Sequence, residues 1–422
     1  MRTQFFKGLL TLGLLSQLAC LSACQSKRED GLAVNTSSKI VEANATMSSE
    51  ELTDAAEQLL TPTQFMHADK ILDIALEKDA NNTKAQFYKS FLKSFLSTKG
   101  ILTRVKPLVK KYGNFTEYEN SLENIPNLHV KKFLLAGKED IQNVKDIQSW
   151  FTEYQMALND FRKFLIVNQD KTFTLELNAQ SLEASLKDPN SYSCETIRAN
   201  EKDYKFKCDM SIVGKKIIST PDLIALRQMT AGYILYLNFY TAYSFEGSEL
   251  FKTVTIKEGT SPKEVERFIS ENMPEFGKLR KDNLLKEIIP MGSDLVNAGR
   301  WAINYQNQLC PLGMNKPQQR KGALFHEGLC VTNAQESLKS LALLEQLLAK
   351  TMKIHLGSKN EEYEVDYFAL TKNPVENLLS LTPKDYDNCG QAISLKDPSF
   401  GGTFINKDAD RWLLTQNVVC KK

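Results

Sequence analysis

The sequence predicts a mainly α-helical protein: a helical-repeat N-terminal region, then a helical domain with a small β insert and disulfide-tied loops. Three observations predict this fold class. Apolar residues recur at spacings of three and four along most of residues 48–168 and 219–356, which is the pattern of a buried helix face. The period shortens to two in parts of residues 171–218, as in strands. Of the 422 residues, 42% are hydrophobic and 25% are charged, which excludes a collagen, a disordered polyampholyte and a multi-span membrane protein.

The N-terminus has the pattern of a bacterial export signal. Arg2 and Lys7 precede an apolar run, residues 8–19, that is too short to span a membrane comfortably. The following motif, Leu21-Ser22-Ala23-Cys24, resembles the lipobox of bacterial lipoproteins. The resemblance implies cleavage of residues 1–23, a diacylglyceryl thioether on the Cys24 sulfur and a further acyl chain on its amine. The alternative is an uncleaved N-terminal anchor.

The residues after Cys24 indicate where the mature protein would reside. Gln25 and Ser26 follow, rather than the Asp that retains many lipoproteins in the inner membrane. We therefore expect the outer membrane, with the protein facing the periplasm or the cell surface and residues 24–47 as a lipidated tether. Without residues 1–23 the chain has 51 basic and 51 acidic side chains, so its net charge gives no reason to expect nucleic-acid binding.

Six cysteines outside the signal region fall into three sequence-local pairs. They are Cys194 with Cys208, Cys310 with Cys330, and Cys389 with Cys420. An exported protein reaches an oxidising compartment, and although 15 connectivities are possible, sequential pairing closes the shortest loops. Each such disulfide would stabilise the fold by about 3 kcal/mol. A zinc site at Cys310, His326 and Cys330 is the alternative, but it would need a fourth ligand; we expect no metal and no cofactor.

Residues 48–168 are predicted to form a helical-repeat domain. Ser48 and Glu51 form a capping box that begins one helix, and a second helix ends before Asn82. The unit 49–82 has the 34-residue length of a tetratricopeptide repeat and resembles that family at its packing positions. These positions are Leu52, Ala55, Ala56, Leu59, Ala68, Leu72, Ala75 and Ala80. The resemblance implies stacked helical hairpins; a plain helical bundle is the alternative.

The remaining residues are predicted to form an insert and a helical domain. Alternating segments at 172–177 and 204–208 predict a strand-bearing insert over 169–218, closed by Cys194–Cys208. Residues 219–422 are predicted to be a helical C-terminal domain with an irregular tail from 358, tied by Cys389–Cys420. The last long helical pattern of this domain covers residues 333–356.

The candidate binding residues are four tyrosines in an uncharged segment, residues 228–245. Tyr233, Tyr236, Tyr240 and Tyr243 recur at spacings of three, four and three. Such a stripe most often packs in a core; the functional alternative is a groove of phenols for an amphipathic ligand or a partner helix.

No catalytic motif supports an enzyme. His326-Glu327 lacks the second His of a zincin helix, and the sequence has no G-x-S-x-G, Walker A or G-x-G-x-x-G motif. We therefore predict a non-enzymatic envelope lipoprotein whose helical-repeat body presents a concave surface to a protein partner. The alternative is a periplasmic ligand-binding or transport-accessory lipoprotein that uses the tyrosine groove.

Overall fold

A computed structural model describes residues 46–60, 64–123, 128–177, 194–198, 204–208, 214–252, 262–310, 334–356, 361–386 and 392–406. The protein is mainly helical and carries small antiparallel sheets, which confirms the coarse fold class. It divides into two compact units. The first contains the described residues within 46–141 and 156–233, and the second contains those within 142–155, 234–310 and 334–406.

The helices of the N-terminal half are α1 to α7. They comprise α1 Ser49–Glu57, α2 Phe65–Lys78, α3 Thr83–Leu96, α4 Ile101–Tyr112, α5 Phe115–Glu123, α6 Leu128–Leu135 and α7 Val144–Val167. Residues 144–155 of α7 belong to the second unit and the rest of α7 to the first.

The predicted change to strands after residue 170 is confirmed. Four strands follow α7: β1 Phe173–Leu177, β2 Cys194–Arg198, β3 Tyr204–Cys208 and β4 Gly214–Ile218. They form two antiparallel pairs, β1 with β4 and β2 with β3.

The C-terminal half combines longer helices with two further hairpins. Its helices are α8 Thr220–Thr241, α9 Pro262–Asn272, α10 Ile288–Gln308, α11 Ala334–Ala349 and α12 Ala369–Lys372, with 3-10 turns at Ser248–Lys252, Leu285–Glu287 and Leu378–Leu381. Its strands are β5 Met352–Leu356, β6 Glu361–Val365, β7 Pro383–Tyr386 and β8 Ala392–Leu395, paired β5 with β6 and β7 with β8. Among the described helices, none is long and apolar enough to cross a membrane.

The first helix begins where the sequence predicts it. The backbone N–H of Ser48 donates to the Glu51 carboxylate at 2.7 Å, and the Glu51 N–H donates to the Ser48 hydroxyl at 3.2 Å. Two otherwise unpaired donors at the helix start are thus satisfied, which is the capping box. An N-cap of this kind contributes about 1 kcal/mol.

Helices α1 and α2 form an antiparallel pair around small and aliphatic side chains. The Ser49 hydroxyl donates to the Ala75 carbonyl at 2.8 Å, so the start of α1 lies beside the end of α2. Five of the predicted packing residues have no exposed surface: Leu52, Ala56, Ala68, Leu72 and Ala75. Ala80, in contrast, is exposed. The predicted apolar face is therefore the core of this hairpin.

Helices α10 and α11 pack closely because α10 has glycine at the contact. A Cβ atom added to Gly292 would lie 2.7 Å from a methyl carbon of Leu348, and one added to Gly299 would lie 3.1 Å from Leu341. The two glycines and the two leucines are each seven residues apart, which is two helical turns. Arg300 and Glu345 add an ion pair with an N–O distance of 2.5 Å.

Candidate functional site

The four predicted tyrosines do not share one environment. Tyr233 lies in the first unit and is half-buried, whereas the other three belong to the second unit. Tyr236 is 38% exposed, Tyr240 is half-buried and Tyr243 is 9% exposed. The ring of Tyr243 lies in an apolar cluster with Leu285. The predicted ligand groove stays a prediction. Of its four tyrosines, Tyr243 is packed in the core.

Tyr236 and Tyr240 form a pair one helical turn apart on α8. Their ring centroids are 5.4 Å apart at an edge-to-face angle of 66°, and their hydroxyl oxygens are 3.2 Å apart. Tyr240 also stacks on Phe151 of α7, with ring centroids 5.7 Å apart. Burial, together with the hydrogen bond to Tyr236, raises the pKa of Tyr240 to about 12, so this hydroxyl keeps its proton at neutral pH.

Phe239 completes an aromatic surface with these two tyrosines. Its side chain is 77% exposed, and positions 236, 239 and 240 fall on one side of a helix. No charged side chain occurs between Gln228 and Phe245. We refer to Tyr236, Phe239 and Tyr240 as the α8 aromatic face. Exposed apolar residues that adjoin one another in this way mark binding surfaces more often than isolated ones do.

Buried amides of α7 hold the end of α8 in place. The Gln148 side chain donates to the carbonyls of Tyr240 and Tyr243 at 2.7 and 2.8 Å, and it accepts from the Phe245 N–H at 2.9 Å. The last carbonyls of a helix have no partner within the helix, so Gln148 acts as a cap supplied by another helix. The α8 aromatic face is therefore presented on a firmly held helix end.

A second buried amide of α7, Gln155, also forms hydrogen bonds with α8. Gln155 has no exposed surface; its side chain donates to the Ile234 carbonyl at 3.1 Å and accepts from the Thr241 hydroxyl at 2.8 Å. The tyrosine spacing in the sequence does not point to these supporting residues. The available signal was that Gln148, Thr152 and Gln155 recur at spacings of four and three, which places a polar stripe beside the apolar face of α7.

The predicted cysteine sites are described only in part. Cys24, Cys330, Cys389 and Cys420 lie outside the described residues. Cys310 follows α10; since its predicted partner is not described, the disulfide stays a prediction. The strand register places the backbone of Cys194 directly opposite that of Cys208.

The α8 aromatic face offers three rings and two phenolic hydroxyls for contact with another molecule. Within the described ranges, no group of three or more His, Cys, Asp or Glu side chains could hold a metal ion. No protein-family model matches this chain, and no curated protein or solved structure shows significant similarity to it.

Proposed function

We propose that the protein is a lipoprotein anchored to the outer membrane through Cys24, and that its helical N-terminal part is a scaffold for a protein partner in the cell envelope. It acts by binding rather than by catalysis and uses no cofactor. The lipobox supports the anchor, since a triacylated N-terminus binds a bilayer stably. The packing of α1 with α2 and with the start of α3 supports the scaffold.

The observation that carries the scaffold proposal is the spacing and packing of α1 and α3. These helices begin at Ser49 and Thr83, 34 positions apart, which is the tetratricopeptide period. Asn82 caps α3 by accepting from the Ala85 N–H at 3.0 Å. The same side chain donates to the hydroxyls of Ser49 and Thr53 at 2.9 and 3.0 Å. The start of one hairpin is thus tied to the previous one, as stacked repeats require.

A buried carboxylate makes this packing rigid. Glu57 of α1 accepts from the Tyr88 hydroxyl at 2.6 Å, from the Lys84 ammonium at 2.7 Å and from the Glu176 N–H at 2.7 Å. It therefore joins α1, α3 and β1. Burial alone would lower the pKa of Lys84, but hydrogen bonds and charge attraction from Asp54 and Glu57 raise it above its ordinary value. A rigid framework suits a binding scaffold, because less order has to be gained on binding.

Crosslinking in intact cells tests the scaffold proposal. A photoreactive amino acid placed at Glu50 of α1 or at Met66 of α2, both exposed, should capture a reproducible protein neighbour. The matched control is the same amino acid at Ile405, an apolar residue of the second unit that is 53% exposed. Recovery of no reproducible neighbour, or of the same proteins from all three positions, would count against a specific partner.

The anchor is tested separately by Cys24→Ser. Because the substitution removes the acylated sulfur, we expect the protein to leave the membrane fraction and to appear in the soluble fraction. A Cys24→Ser protein that stays in washed membranes as fully as the parent would contradict the lipid anchor.

We further propose the disulfide Cys194–Cys208. Directly opposed residues of an antiparallel pair have Cα atoms about 4.5–5.5 Å apart, which is within the range that a disulfide spans, and the register of β2 and β3 supports this pairing. Non-reducing peptide mapping should recover the two cysteines in one crosslinked peptide. Finding Cys194 as a free thiol would rule the pairing out.

The second candidate function is binding of an amphipathic ligand at the tyrosines. The observation that favours it is the contact between the Tyr236 and Tyr240 hydroxyls, which places two polar groups beside exposed rings. It would involve at most part of the predicted groove, because Tyr243 is packed in the core.

A further inference from the structure

The α8 aromatic face leaves a large apolar side chain in water. Phe239 is 77% exposed, next to Tyr236 at 38%. We propose that Tyr236, Phe239 and Tyr240 rest in the headgroup interface of the membrane, so that the protein contacts the bilayer through its folded body as well as through its acyl chains. The proposal rests on the lipid anchor of the proposed function.

The chemistry of the three side chains fits the interface between lipid and water. Tyrosine has an apolar ring and a polar tip and is enriched at this depth of a bilayer. Phe239 supplies an apolar group that gains free energy on leaving water. The hydroxyls of Tyr236 and Tyr240 are 3.2 Å apart, so they share one hydrogen bond that does not depend on bulk water.

The charges around the face are compatible with a phospholipid surface. Residues 228–245 carry no acidic side chain that anionic headgroups would repel. Where the uncharged segment ends, Glu246 is paired with Lys145 of α7 at an N–O distance of 3.3 Å. At this end of the segment the charges of Glu246 and Lys145 therefore cancel.

The chain that precedes the described residues keeps the body close to the bilayer. Cys24 stands 22 positions before Thr46, the first described residue, and 22 residues reach at most about 75 Å. Tethering at such a distance raises the effective concentration of the membrane. A contact made by three side chains, weak by itself, is then sufficient, and this reach favours a lipid surface over other occupants.

Vesicle flotation tests the proposal without the acyl chains. The mature chain with Cys24→Ser is mixed with vesicles of phosphatidylethanolamine and a minority of phosphatidylglycerol. At high lipid concentration we expect part of it to float, although this untethered contact is too weak to keep the protein in washed cell membranes. We expect Phe239→Ser to lower its partition coefficient by about tenfold or more, from the transfer free energy of a phenylalanine side chain. The matched control is Val167→Ser on α7, where an apolar side chain is 80% exposed; it should leave flotation unchanged.

A second readout uses Phe239→Trp, which keeps an aromatic ring at the site. Its fluorescence emission should shift to shorter wavelength when vesicles are added, compared with the parent protein. This variant keeps the test decisive if Phe239→Ser disturbs folding.

Three results would overturn the proposal. The first is no flotation of the parent protein, and the second is equal flotation of the parent and Phe239→Ser. The third is a Phe239→Ser variant that loses self-association or a protein crosslink while its flotation is unchanged, because a second copy or a protein partner then covers the face. Since the vesicle assay uses unacylated protein, its failure is distinguishable from failure of the anchor, which the cell fractionation of Cys24→Ser measures.

Discussion

Replacing Glu57 by alanine should destabilise the protein by about 3 kcal/mol. The Glu57 side chain is 4% exposed and accepts three hydrogen bonds. Tyr88 is 2% exposed, so its hydroxyl would be left without a partner, at a cost of about 1–3 kcal/mol. The Glu176 N–H lies at a partly exposed site and can bind water, and Lys84 keeps Asp54; we assign about 0.5–1 kcal/mol to each loss.

The matched control is Asp54→Ala, which removes the other partner of Lys84. The Asp54 side chain is 69% exposed and lies 2.8 Å from the Lys84 ammonium, so its loss should cost less than about 1 kcal/mol. Urea unfolding followed by far-ultraviolet circular dichroism measures both variants, and a shifted midpoint with an unchanged slope identifies a stability effect. If Glu57→Ala costs no more than Asp54→Ala, the carboxylate does not hold α1, α3 and β1 together as we argue.

Two further predictions concern α8 and α10. Tyr236→Phe should lower the pKa of Tyr240 from about 12 toward its ordinary value of about 10, because the hydrogen bond is lost while burial remains; carbon NMR of ring-labelled tyrosine measures this, and an unchanged pKa would contradict it. Gly292→Ala should lower the melting temperature, with a net loss of about 1 kcal/mol, because the new methyl group meets Leu348. Its control, Gly232→Ala, has open space around the added carbon and should gain about 0.5–1 kcal/mol; equal shifts of the same sign in both variants would refute the packing argument.

Local sequence signals predicted local structure well. The Ser48 and Glu51 pair predicted the start of α1 correctly, because a capping box involves only neighbouring residues. The predicted helix over 333–356 is wrong at its end: α11 stops at Ala349, and residues 352–356 form β5. This strand is defined by its pairing with β6, and β6 lies outside residues 333–356, so the periodicity of that segment carries no information about the pairing.

The candidate site also depends on contacts between distant parts of the sequence, which local patterns do not predict. The spacing of the tyrosines predicted one stripe, but α8 ends at Thr241, so Tyr243 leaves the helical line and enters the cluster around Leu285. The roles of Gln148 and Gln155 depend on which backbone carbonyls a second helix brings within reach. Periodicity identifies a stripe of amides, but it does not identify the partners of those amides.

The hydrogen bonds from Gln148 to the end of α8 couple the local unfolding of α8 to that of α7. The carbonyl of Tyr240 lies 92 positions along the chain from the amide that binds it. The end of α8 therefore does not fray independently, as most helix ends do, because fraying breaks buried contacts with α7. Amide hydrogens near Thr241 should show the same opening free energy in hydrogen exchange as those in the facing turn of α7, and the two segments should behave as one cooperative opening unit.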